Sequence, residues 1–352
     1  MTHGRTPPAV ERDVMRGGSV LTAVAARMAR FPASYFGIVV GLAGLANAWR
    51  AASRSWGLPS AIGESVFAAT AIAFVAFTIA FALKWILSPA AAREEAEHPV
   101  RCCFVGLGGV AAMQLSQGAL PYDRATAIAL FALGSVYSLG FGVWRTGRLW
   151  RGGRASENTT PVLHLTTVAP GFVAGATAAA LGWPDLGRLA FGAALFSWLA
   201  IESVVLHRLY TAEELPPPLR PLLGIEIAPA AVGAASHIAI NGGNADWLAQ
   251  ALIGYSILQG LVTLRLARWI SAQPFTPAYW SFTFGATTLA GLLVRMAARG
   301  DCVFVLLATP AFISVNLAIA LLLIRSVAFW ARGGASASIT GRVRLPDPGF
   351  TV

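Results

Sequence analysis

The sequence predicts an all-α polytopic membrane protein, and three observations carry that prediction. Of its 352 residues 56% are hydrophobic and only 12% are charged, against about a quarter charged in a soluble domain. Apolar runs long enough to cross a bilayer, each about 20 residues, recur along the whole chain. The basic residues gather on alternate connections between those runs, which is how membrane proteins set their orientation. A soluble enzyme is excluded by the first observation. The net charge of +10 comes almost wholly from arginine, with Lys84 the single lysine. In a membrane protein that charge orients the chain, and no nucleic-acid partner is expected.

Taken in order, the runs lie near 31–52, 63–86, 101–120, 125–144, 160–181, 185–206, 221–241, 246–268, 277–298 and 302–325. Residues 1–30 lack the apolar core of a signal peptide and read as a cytosolic tail, and 331–352 as a second one. Between them, 31–330 reads as a ten-helix transmembrane channel domain. With the N-terminus in the cytosol, only Arg50, Arg54, Arg124, Arg188, Arg295 and Arg299 fall outside, among 26 basic residues in all. Both termini are then cytoplasmic in a multi-pass protein, and the ten spans form five helical hairpins.

The odd-numbered spans open alike, as "FPASYFG", "HPVRCCF", "TPVLHLT", "RPLLGIE" and "TPAYWSF". Their prolines, Pro32, Pro99, Pro161, Pro221 and Pro277, suit a first helical turn, where the missing N–H is not needed. Such a recurrence predicts a repeated hairpin. The odd spans also carry small or polar faces: Gly37, Gly41 and Gly44; Gly108; His164, Thr167 and Gly171; Glu226, Gly233 and His237. The even spans carry Phe74, Phe77 and Phe81, or the run Leu321, Leu322, Leu323. Small residues permit close helix approach, and polar groups in a membrane turn to a bundle interior or a wet cavity. Five inner helices around a central pore, with five outer helices around them, satisfy both textures.

The ninth span reads "TPAYWSFTFGATTLAG". Phe282 and Phe284 lie about 200° apart on a helix, so one of them faces the axis. Helical spacing groups Phe284 with Trp280, Ser281, Thr287, Thr288 and Gly291, and Phe282 with the apolar residues. Phe284 is therefore the expected pore gate, since a hydrophobic constriction excludes water and ions. No catalytic motif for hydrolysis or metal-assisted chemistry occurs, so the chain is not read as an enzyme. No cofactor is expected. His98 and Cys102 lack two further ligands, so no metal site is expected either.

The stretches "FPASYFGIVVGLAGLANAWR", "EEAEHPVRCCF", "LRPLLGIEIAPAAVGA" and "TPAYWSFTFG" resemble the TehA tellurite-resistance and dicarboxylate transporter family, which includes bacterial relatives of the plant guard-cell slow anion channel. The resemblance covers about residues 31–330. It implies ten spans, five inner helices around a pore, a homotrimer in the inner membrane, and a pore-blocking phenylalanine in the ninth helix that matches Phe284. It further implies passive permeation of small anions such as chloride and nitrate. The alternative is a proton-coupled transporter of C4-dicarboxylates or of oxyanions such as tellurite or sulfite. Glu226 departs from the neutral amide expected in the "LGI-x-IAP" motif, which favours the alternative if that carboxylate faces the pore.

Overall fold

The computed structural model describes residues 22–332. Of the expected tails, residues 1–21 and 333–352 lie outside the described residues, and Thr22–Ala29 is helical. No strand occurs among the described residues, and ten long or medium α-helices carry the fold. They are α1 (Phe36–Trp56), α2 (Ser60–Leu87), α3 (Leu107–Ala119), α4 (Arg124–Trp150) and α5 (Val168–Ala180), then α6 (Pro184–Thr211), α7 (Ile227–Ile240), α8 (Trp247–Arg265), α9 (Thr283–Ala297) and α10 (Cys302–Ala331). Two short helices, Pro89–Glu97 and Ala267–Ile270, lie between these.

The repeated proline has a local structural counterpart. Each odd-numbered helix is preceded by a 3₁₀ segment: Ala33–Tyr35, Arg101–Gly106, Pro161–Leu165, Pro217–Glu226 and Pro277–Phe282. Proline fixes φ and lacks an N–H, which suits Pro161 and Pro277 at the start of their segments and Pro32 just before its own, whereas Pro221 lies inside Pro217–Glu226. The tighter winding, three residues per turn against 3.6, shifts the phase of side chains that follow. Asp123 caps α4 through Ala125 N and Thr126 N, and Asp246 caps α8 through Ala249 N, as expected of N-cap carboxylates. Gly57, with φ +68°, ends α1 in the left-handed conformation that glycine adopts freely.

Consecutive helices pack in pairs, α1 with α2 through α9 with α10. The odd helices also touch one another in sequence, α1–α3–α5–α7–α9, and α9 packs back on α1. The packing therefore closes a ring of five. Burial follows the same division. The rods Arg101–Ala119, Pro161–Ala180 and Pro217–Ile240 are 83%, 72% and 83% buried over their most apolar windows, whereas α2 is 6% buried. A helix apolar on all sides yet exposed in this way is built to meet lipid.

The ring contacts depend on small residues. A Cβ at Gly41 or Gly44 would collide with the hydroxyls of Thr283 and Thr287 on α9, so glycine there sets the α1–α9 distance. At the end of the bundle where α2 finishes, Lys84 Nζ pairs with Glu95 at 2.6 Å and donates to Phe31 O at 2.9 Å. Glu95 in turn accepts from Ala33 N at 2.8 Å. This buried pair anchors the short helix Pro89–Glu97 to the first 3₁₀ turn.

Among the described residues eight helices are long and apolar enough to cross a membrane, or nine if the bent pair Thr22–Ala29 and Ala33–Trp56 counts as one span. The stretch Pro277–Ala297, rich in Thr and Gly and carrying Arg295, is not among them.

Candidate anion path and buried polar cluster

All five ring helices contribute to a cavity of about 520 Å³ that contains Gly44, Gln114, Val173, Val232 and Phe284 in its wall. A second, much smaller cavity of about 30 Å³ lies beyond it, walled by Gly37, Phe104, Leu165, Ile225 and Phe284. Phe284 borders both cavities and is 8% exposed. Its ring stands between a polar vestibule and an apolar neck.

Phe282 takes the other direction. Its ring packs against Gly224, Leu223 and Ile270. The 3₁₀ winding of Pro277–Phe282 turns Trp280 away from the vestibule. Its indole N–H donates to Ser326 Oγ on α10 at 2.9 Å, and Ser281 donates to the Pro221 carbonyl.

The other expected site residues separate into groups. Gly44, Thr287, Thr288 and Gly291 line the vestibule, and Gly37 lines the neck. Gly41 abuts Thr283, and Gly233 abuts the ring of Phe172. Gly108 instead faces an outer groove beside Tyr137 and Phe36. Thr167 and Gly171 face a second outer groove, beside Ala190 and Ala194 of α6. The pore-facing expectation for these three therefore does not match their placement. For Thr167 and Gly171 the cause is phase. The spacing from His164 assumes one continuous α-helix, but Pro161–Leu165 is 3₁₀ and Thr167 has φ −132° and ψ −34°. Neither His164 nor Glu226 borders the vestibule or the neck.

The vestibule is electropositive for a nameable reason. Arg50 is neutralised by Glu64 through two hydrogen bonds, 2.8 and 2.6 Å, and stacks on the Phe67 ring at 4.7 Å. Arg54 only donates to Arg50 O, at 3.1 Å. Arg295, on the cavity wall, has no hydrogen bond or ion pair among the described residues. Two guanidinium charges on the cavity wall thus lack an acid bonded to them. Thr287 Oγ1 donates to Thr283 O at 2.7 Å, so its proton is committed to its own helix. Arg54, Arg295 and Thr288 are among the donors on that wall that can meet an anion, with Asn47 and Gln114.

A second polar group collects off the axis. His164 Nε2 lies 3.2 Å from Glu202 Oε2 and 3.5 Å from Glu226 Oε2. Glu202 comes from α6, an outer helix expected to be only lipid-facing. Sequence reasoning missed it, although a carboxylate in the middle of an apolar span is a signal in its own right. Arg54, on the α1 face that turns into the vestibule, was missed too.

The profile of the voltage-dependent anion channel family, SLAC1, matches residues 30–327. A tellurite resistance protein TehA homolog of Haemophilus influenzae is 32% identical over 260 residues, covering 74% of this chain and 79% of that protein. The guard cell S-type anion channel SLAC1 of Arabidopsis thaliana is 25% identical over 76% of this chain. The S-type anion channel SLAH2 of the same plant is 22% identical, also over 76%. These alignments span about half of the two plant proteins, 50% and 52%.

Proposed function

The chain belongs to the voltage-dependent anion channel family, and on that premise we propose that it conducts small anions such as chloride and nitrate passively through the ring, with Phe284 as the gate. Ten spans in five hairpins, an inner-membrane location, cytoplasmic termini and a homotrimer belong to the same proposal. The observation that carries it is the position of Phe284, bordering both the vestibule and the neck. An apolar ring across a narrow path raises the cost of a hydrated ion steeply, because water withdraws from such a constriction. Arg54 and Arg295 raise the anion concentration at the outer mouth. Neither is neutralised by a carboxylate, yet both sit in a wide, wet space, so attraction there is weak enough for an ion to leave again.

Current under voltage clamp tests the proposal, with wild type against Phe284→Ala in chloride and then nitrate. A small wild-type current and a large mutant current, both reversing near the anion equilibrium potential, is the expected result. No current from either protein at normal surface expression overturns it. Proton-linked uptake of malate or an oxyanion would then carry the alternative reading.

A further inference from the structure

The cluster of His164, Glu202 and Glu226 is poorly explained as an ion pair. His164 is 1% exposed and Glu226 4%. Both ring nitrogens of His164 and both carboxylate oxygens of Glu226 are buried without a hydrogen-bond partner. Unpaired buried polar groups are costly, and charged ones more so. Protonation does not remove the difficulty. With histidine charged and both acids ionised, a net charge stays buried. With Glu226 protonated the charges balance, but its carboxyl lies 3.5 Å from His164 Nε2, at the limit of hydrogen-bond reach, and His164 Nδ1 still has no partner.

We propose that these three side chains form a binding site for one Zn²⁺ ion. Two carboxylates and a neutral imidazole balance a divalent cation, leaving the buried cluster neutral. The spacing fits as well. Tetrahedral zinc with bonds near 2.0–2.1 Å places its ligands roughly 3.3–3.5 Å apart, and the two histidine–carboxylate distances are 3.2 and 3.5 Å. All three donor atoms lie within 4.8 Å of one another. Glu226 has two free oxygens, so it can supply the fourth position by binding through both.

Of the three ligands, Glu202 has the outer support that metal sites use, whereas His164 Nδ1 has no partner. Glu202 Oε1 accepts from Tyr255 Oη at 2.6 Å and from Gln259 Nε2 at 3.1 Å. Glu202 Oε2 accepts from Trp198 Nε1 at 3.0 Å. The carboxylate is thereby held in one orientation before any ion arrives. The ion would tie the 3₁₀ turn before α5 and the 3₁₀ turn before α7 to α6. Those two turns also supply Leu165 and Ile225 to the neck below Phe284, so the site would fix the wall of the path at its narrowest point. This inference does not depend on which ion the path conducts.

The test is elemental analysis of the full-length protein. It is expressed in zinc-supplemented medium and purified in detergent through a histidine-free tag, without chelators. About one zinc per chain is expected, with an X-ray absorption spectrum showing nitrogen and oxygen ligands at about 2.0 Å and no sulfur. His164→Ala and Glu226→Gln should each lower zinc content at least tenfold, the scale on which a lost ligand acts. A wild-type protein that folds without stoichiometric zinc overturns the proposal, whatever the variants do. So does a sulfur-containing coordination shell, which would place the ion at Cys102 and Cys103, or undiminished zinc in the variants.

Discussion

The vestibule and the His164 cluster sit on the same ring yet treat polar groups in opposite ways. In the vestibule Arg54 and Arg295 stand without acids in a cavity of about 520 Å³, where water can solvate them. In the cluster three titratable groups crowd within 4.8 Å of one another with no comparable space around them. The first arrangement suits a mobile ion held loosely. The second suits one held for the lifetime of the protein. The difference teaches that a polar residue in a membrane helix acquires its meaning from the space beside it, not from its chemistry alone.

The contrast breaks most visibly at the pair of phenylalanines. Phe284→Ala should raise chloride current by about tenfold or more, because it removes a hydrophobic constriction. Phe282→Ala should leave the current near the wild-type level and instead cost about 2 kcal/mol of stability, read as a lower melting temperature in detergent. An exchange of the two phenotypes would mean that the gate faces the other way.

Next in size is the dry side of the comparison. Lys84 and Glu95 form an ion pair whose side chains are 4% and 5% exposed. Lys84→Met leaves the carboxylate buried and unpaired, and should destabilise the protein by about 3–5 kcal/mol. Adding Glu95→Gln should recover part of that loss. A single variant as stable as wild type would show that water reaches Glu95.

On the wet side, Arg295→Gln should reduce anion current about two- to fivefold at low salt, and less at high salt, since screening already weakens the attraction. Stability should hardly change. An effect independent of salt would point to a specific binding contact rather than to a field.

The smallest effect sharpens the comparison at the turn before α3. His98 Nδ1 accepts from Val100 N at 3.1 Å and from Arg101 N at 3.2 Å. Burial, then the nearby Arg101 charge, lowers its pKa to about 4. The unfolded chain therefore binds the extra proton between about pH 6.5 and pH 4, and stability rises with pH across that window. The contribution is complete above the unfolded value and is lost as pH falls towards 4. His98→Gln should flatten this part of a melting-temperature curve against pH, and an unchanged slope would assign it to another group.

Much of the all-helical architecture was legible because the bilayer imposes it: apolar length, loop charge and the recurring prolines each report a strong physical constraint. The inward direction of Phe284 was legible because Thr287, Thr288 and Gly291 follow it inside one regular helix. The facing of Gly108, Thr167 and Gly171 was not. Thr167 and Gly171 were read at a period of 3.6 from His164, which lies in a 3₁₀ segment at three per turn, whereas Gly108 shares its outer groove with Ala112 in one regular helix, so there a small-residue face is not a pore face. Glu202 was missed for a different reason. Texture assigned its whole helix to lipid, although Trp198, Glu202 and Val205 form a buried stripe along it.

The ring is also sealed by its two ends. Trp49 Nε1 donates to Asn316 Oδ1 at 2.8 Å across 267 positions, and Trp330 Nε1 donates to Tyr35 Oη at 2.9 Å across 295. The wall of the conduit is therefore complete only after the ribosome has delivered the last hairpin. Until then the nascent protein is an open crescent whose glycine-lined edge on α1 has no mate. Its docking is a late, long-range closure of the kind that folds slowly. An unfinished chain of this design therefore has a small-residue edge with no helix packed against it.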